Sequence, residues 1–167
     1  MPRKPTGQAF LQRPAIVKGR VEPLAGVPFH SEGPLTRWLL ASEEMAPGSG
    51  VFIALHEFSS VDPARRDYCR PHRHDHDEIN VFHTTSRLEV EVDLDGETFV
   101  LEAPATVLIP AGVRHAANVR SGSGFMVAIL LDGRYRATDG ADGAGPRDGE
   151  PEDSRKSPGT SIPARVR

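Results

Sequence analysis

The stretch Leu88-Glu-Val-Glu-Val-Asp-Leu-Asp95 alternates apolar and acidic residues without a break. A repeat of two is the side-chain period of a β-strand, not of a helix, because successive strand residues point to opposite faces. One face of this segment must therefore be buried and the other wet, so a second layer has to cover Leu88, Val90, Val92 and Leu94. Asp95-Gly96 closes the run as a two-residue hairpin turn, and Glu97-Thr-Phe-Val-Leu101 reads as the returning strand.

The rest of the middle of the chain has the same character. Val51 to Phe58 is rich in strand-forming residues, Val107-Leu-Ile109 runs into the turn-forming triplet Pro110-Ala-Gly112, and Phe125 to Leu131 is almost wholly apolar before Asp132-Gly133. Several short strands at this spacing predict an all-β antiparallel sandwich or barrel. A chain of 167 residues has room for one such domain. We expect the barrel over residues 20–136, a flexible N-terminal segment over 1–19 and a disordered tail over 137–167. The tail is almost entirely Gly, Pro, Asp, Ala, Ser, Arg and Glu, and buries too little to offset its ordering entropy.

The formal net charge is -3, and Lys and Arg form no stripe, so neither nucleic acid nor a membrane surface is an expected partner. A small molecule is. Cys69 is the lone cysteine, which excludes an intrachain disulfide. Met1 to Ala15 lacks the apolar core of a signal peptide and no stretch reaches transmembrane length, so a cytoplasmic address is expected.

The chemistry is concentrated in Pro71-His-Arg-His-Asp-His-Asp-Glu78. Residues two apart in a strand share a face roughly 6.5 to 7 Å apart, so His72 and His74 can converge on one ion through bonds of about 2.0 to 2.1 Å. Glu78 would lie about 13 Å beyond His74 on a straight strand, and it reaches the same ion only if the chain bends at Asp75, His76 and Asp77. His115, three residues past the Pro110-x-Gly112 turn, is the candidate fourth ligand. Three imidazoles and one carboxylate suit Fe(II), Mn(II), Co(II), Ni(II) or Zn(II) better than Ca or Mg. The competing reading is a solvated His-rich loop with no metal.

His72-x-His74-x-x-x-Glu78 followed by Pro110-x-Gly112-x-x-His115 closely resembles the two motifs of the cupin superfamily. The resemblance extends over roughly Val51 to Leu131 and implies an antiparallel double-stranded β-helix, the jelly-roll or cupin barrel, with a metal on His72, His74, Glu78 and His115. The chain departs from the family pattern at Arg66, Thr85 and Pro104, where Gly is common, and at Asn118, which stands three rather than four residues after His115.

Asn80 and Phe82 share parity with Glu78, and His56 alternates with Phe52, Ala54 and Phe58; these three are candidate substrate contacts. His76 is expected at the exposed tip of the bend. His30 and His83 carry no informative spacing, and Cys69 reads as a partly buried structural thiol. The leading functional expectation is an Fe(II)-dependent dioxygenase acting on a small polar metabolite. Alternatives are a non-redox isomerase, lyase or cyclase, and a small-molecule-binding barrel without turnover. A homodimer is expected, because open sheet edges are usually covered and family members often pair.

Overall fold

The computed structural model describes residues 14–59, 61 and 67–139. Most of the expected N-terminal segment and nearly all of the expected tail lie outside the described residues. Among those described there is no helix, hence none long and apolar enough to cross a membrane.

Among the described residues, nine strands form two antiparallel sheets. In chain order they are β1 (Arg20–Val21), β2 (Thr36–Ala41), β3 (Phe52–Phe58), β4 (Glu78–His83), β5 (Leu88–Leu94), β6 (Glu97–Glu102), β7 (Ala105–Ile109), β8 (His115–Gly122) and β9 (Gly124–Leu130). One sheet runs β1-β2-β3-β9-β4-β7 and the other β6-β5-β8. The chain crosses repeatedly between them, which is the wiring of a jelly roll.

The acidic alternation behaves as read. Leu88, Val90 and Val92 are fully buried, and their core cluster takes Phe58, Phe82 and Leu130 from the larger sheet and Val119 from β8. The hairpin after β5 turns at Asp95 and Gly96, both in the left-handed region with φ of 52° and 88°. Asp tolerates that conformation and Gly is indifferent to it, so this dipeptide closes the turn at little cost.

Two further features position the site. Asp75 and His76 bend the chain, and Glu78 opens β4 directly after them. Gly112 has a φ of 85°, and its N–H donates to the His74 carbonyl at 2.8 Å, tying the Pro110-x-Gly112 turn to the segment that carries the first two histidines.

Beyond β9 the chain continues as a strap over the mouth of the barrel. Leu131 N–H donates to Asp77 O at 3.0 Å, and Thr138 exchanges both backbone hydrogen bonds with Arg73.

Candidate metal centre

His72 and His115 are brought together by backbone pairing. Each donates its N–H to the other's carbonyl, at 2.9 and 2.8 Å, which sets the two rings with centroids 4.6 Å apart. His74, two residues on, lies on the same face, and Glu78 returns from the bend between Ile109 on β7 and Leu130 on β9. All four side chains are buried. The donor atoms of the three histidines lie within 4.8 Å of one another.

The tautomers follow from the partners. His72 Nδ1 faces Arg70 O at 2.8 Å, His115 Nδ1 faces Val113 O at 3.0 Å, and His74 Nδ1 faces Arg136 O. A carbonyl can only accept, so each Nδ1 carries the proton and each Nε2 presents a lone pair. Those lone pairs point at one another and at the carboxylate: His72 Nε2 to His74 Nε2 is 3.2 Å, His74 Nε2 to Glu78 Oε2 is 3.0 Å, and His115 Nε2 to Glu78 Oε2 is 3.1 Å.

Four acceptors converging in a buried space repel unless a cation lies between them. The spacing also fits a cation's preferred geometry. Two ligand atoms about 2.1 Å from one ion lie about 3.0 Å apart at a right angle and about 3.4 Å apart at the tetrahedral angle. The three separations observed, 3.0 to 3.2 Å, fall in the range expected of neighbouring ligands on one ion. Imidazole-rich donors of this kind fit a divalent transition metal.

The electrostatics agree. Burial lowers the His72 pKa to about 3, with neighbouring His115 and His74 adding to the effect, which keeps its Nε2 free to bind. For Glu78, burial favours the neutral acid, yet the adjacent His115 and His74 rings outweigh it and hold the carboxyl well below the usual range. Burial likewise disfavours charge on His115, but Glu78 more than offsets this and raises it.

His76 differs from expectation. Its side chain is only 9% exposed, stacked on His74 with centroids 5.3 Å apart, and its Nδ1 is 2.8 Å from Asp75 Oδ1. The ring is buried by packing on His74, and Asp132 Oδ2 lies 3.9 Å from its Nδ1. Asn80 and His56 line the cavity beside the four donors. Phe82 is fully buried in the core and does not line it. Cys69 is buried and its thiol pushed up to about 12 by burial, an inert group.

Three contributors to the cavity carried no assigned role in the sequence. Tyr135, on the strap, sets its hydroxyl 3.3 Å from His72 Nε2 and 3.4 Å from His30 Nδ1, and its ring stands edge-on to His74. His30 reaches the site because it bridges to Cys69, three residues before His72. Arg37 on β2 lies directly opposite His56. Asn118, the residue out of step with the family pattern, clamps the Cys69 peptide by accepting from its N–H and donating to its carbonyl, both at 2.9 Å.

No family model and no curated protein matches the sequence. Solved structures are similar to it. A cupin 2 conserved barrel domain protein from Rhodopseudomonas palustris superposes with a TM-score of 0.50 at 16% identity, covering 73% of this chain and 76% of that one. The polyketide cyclase RemF from Streptomyces resistomycificus gives 0.49 at 16% identity over 72% and 79% of the two chains. An RmlC-like cupin from Shewanella frigidimarina gives 0.47 at 18% identity over 68% and 83%. The fold is the cupin barrel.

Proposed function

We propose that this chain is a metal-dependent cupin enzyme in which His72, His74, Glu78 and His115 hold one divalent transition metal, and that it acts on a small polar organic molecule admitted to the adjoining cavity. The observation that carries this is the convergence of three Nε2 atoms and one carboxylate, each ring fixed by a carbonyl behind it.

A bound ion supplies Lewis acidity and, if it is Fe(II), a redox couple able to engage O2. Fe(II)-dependent oxidation is the reaction class we favour, because an ion held by four protein donors would leave room in the adjoining cavity for a substrate and O2 beside it. The protein's own groups define the rest. Tyr135, whose ionisation is pushed up by burial, stays a neutral phenol and offers a hydrogen bond beside His72. His56, lowered to about 3 by burial, is a neutral imidazole that donates once and accepts once. The apolar wall formed by Leu24, Val27, Leu130 and Met126 excludes bulk water.

Metal analysis of protein purified without added metal, followed by anaerobic loading with Fe(II) or Mn(II) and an O2-uptake assay over small carboxylates, thiols and phenols, tests this reading. One equivalent of metal and substrate-dependent O2 consumption with Fe(II) alone is the expected result. Turnover with Mn(II) or Zn(II) and no O2 uptake would replace oxidation by a non-redox isomerase, lyase or cyclase. Absence of metal would remove the proposal altogether.

A further inference from the structure

The cavity beside the four donors owes its existence to two alanines. Cross-strand register places Glu78, Leu130 and Phe52 in one row, Asn80, Ala128, Ala54 and Leu39 in the next, and Phe82, Met126, His56 and Arg37 in a third. Side chains of one row are two residues, about 7 Å, from the next. Ala54 and Ala128 leave the middle row short, and the space so opened connects the metal row to Arg37 and His56.

Arg37 is an unusual wall residue. Its side chain is only 4% exposed, and a guanidinium keeps its charge at any physiological pH. Of its five N–H donors, the hydrogen bond seen among the described residues is one from Nη1 to Glu22 Oε2, at 2.6 Å. Glu22 sits at the rim and also faces Arg20. Opposite Arg37, both ring nitrogens of His56 are buried with no hydrogen-bond partner among the described residues, and so is Asn80 Oδ1. Buried polar atoms left in this way are costly unless a ligand or water satisfies them.

Charge decides what kind of ligand that is. A divalent ion would outweigh the single charge of Glu78 at one end of the cavity, and Arg37, bonded through Nη1 to Glu22, lines the other. An anion is favoured and a cation opposed. The size limit is strict: the cavity volume is about 40 Å³, against roughly 10–15 Å³ for a single water on the same measure.

We propose that the substrate is a small carboxylic acid carrying a hydroxyl or oxo group, its carboxylate bound by Arg37 and His56 and its oxygen function passing Asn80 toward the metal ligands. This rests on the metal reading above, and deepens it by assigning Arg37 as the anion-recognising residue. A planar guanidinium is suited to two-point carboxylate binding in a way that lysine is not.

Calorimetric titration of Mn(II)-loaded protein with glycolate, lactate and malonate, and with the uncharged glycolamide, lactamide and malonamide, tests the assignment. At least one acid should bind, at least tenfold more tightly than its amide. Arg37→Met should reduce that affinity tenfold or more while Mn(II) content is unchanged, with Arg37→Lys recovering only part. Ala54→Leu, which fills the middle row and leaves the Arg37–Glu22 pair untouched, should abolish acid binding with metal content again unchanged. Ala54→Leu also serves if Arg37→Met does not fold. If no acid binds, if acids and amides bind alike, or if Ala54→Leu binds acids as well as the parent does, the inference is overturned. Failure of the parent protein to take up Mn(II) strikes the metal reading instead, and the same acid and amide titrations on metal-free protein then judge Arg37 on its own.

Discussion

Replacing His56 by Gln should remove a large part of the protein's sensitivity to acid. His56 is buried on β3 among Phe52, Ala54 and Phe58, and burial lowers its pKa from 6.5 to about 3, with the nearby Arg37 charge adding to the effect. The folded protein therefore resists a proton that the unfolded chain accepts. Above pH 6.5 neither state binds it and the residue has no effect on the pH dependence. Below 6.5 the unfolded state gains protons first, so stability falls as pH falls until the folded pKa near 3 is reached. Each unit of difference is worth about 1.4 kcal/mol. Between pH 7.5 and 5.0 about one and a half units of that window are crossed, which amounts to roughly 2 kcal/mol lost through this side chain alone. With a urea slope of about 2 kcal/mol per molar, the loss appears as a midpoint shift of about 1 M. The assay is urea unfolding of parent and His56→Gln proteins at both pH values, with chelator present so that metal release does not contribute. His72 titrates in both proteins and cancels in the comparison. The parent should lose about 2 kcal/mol more than the variant over this interval; equal losses, within about 0.5 kcal/mol, would refute the reading of His56 as a buried neutral imidazole.

Metal content offers a second check: His74→Ala or His115→Ala should abolish stoichiometric binding, whereas His76→Ala, whose ring stacks on His74 without joining the donors, should reduce it far less. Asn118→Ala removes both hydrogen bonds that hold the Cys69 peptide, and should cost about 1 to 3 kcal/mol in chemical denaturation while weakening metal affinity through the displaced His72. Gly112→Ala forces a side chain into a left-handed conformation with open space around it, so strain alone acts, and a loss of about 1 to 2 kcal/mol is expected by thermal unfolding. Light scattering should give a dimer, with Val100 on β6 and Leu108 on β7, both exposed on edge strands, as the apolar residues to be covered; Leu108→Asp should then shift it to monomer.

What the sequence reveals and what it conceals divide along a physical line. Local periodicity carries β5 and its hairpin, because a run of four apolar and four acidic residues has one solution on a pleated surface. Strand spacing and a bend of three polar residues suggest His72, His74 and Glu78, but they leave a metal-free loop open; His115 joins them through the resemblance of the paired motifs. Phe82 shows the limit of parity. It faces inward as alternation requires, but inward at its row means the packed core, and nothing local separates core from cavity. His30 and Tyr135 lie beyond any local rule, since each reaches the site through pairings between segments far apart in the chain. Arg37 did leave a signal. It has the inward parity of Leu39 on β2, and an arginine on the apolar side of a strand is a residue that must be answered by a partner or a ligand.

The strap from Leu131 to Thr138 separates the life of the site from that of the sheets. It supplies the carbonyl behind His74 and the hydroxyl beside His72, yet among the described residues it is fastened by isolated backbone hydrogen bonds rather than by a continuous ladder. Segments anchored so sparsely open at a free energy well below that of global unfolding. Lifting the strap would free the His74 ring to rotate while β3, β4 and β9 stay paired. A metal held here would then leave at a rate set by the breathing of this one segment, and amide exchange at Arg73 and Thr138 should keep pace with metal release while the amides of β9 remain protected.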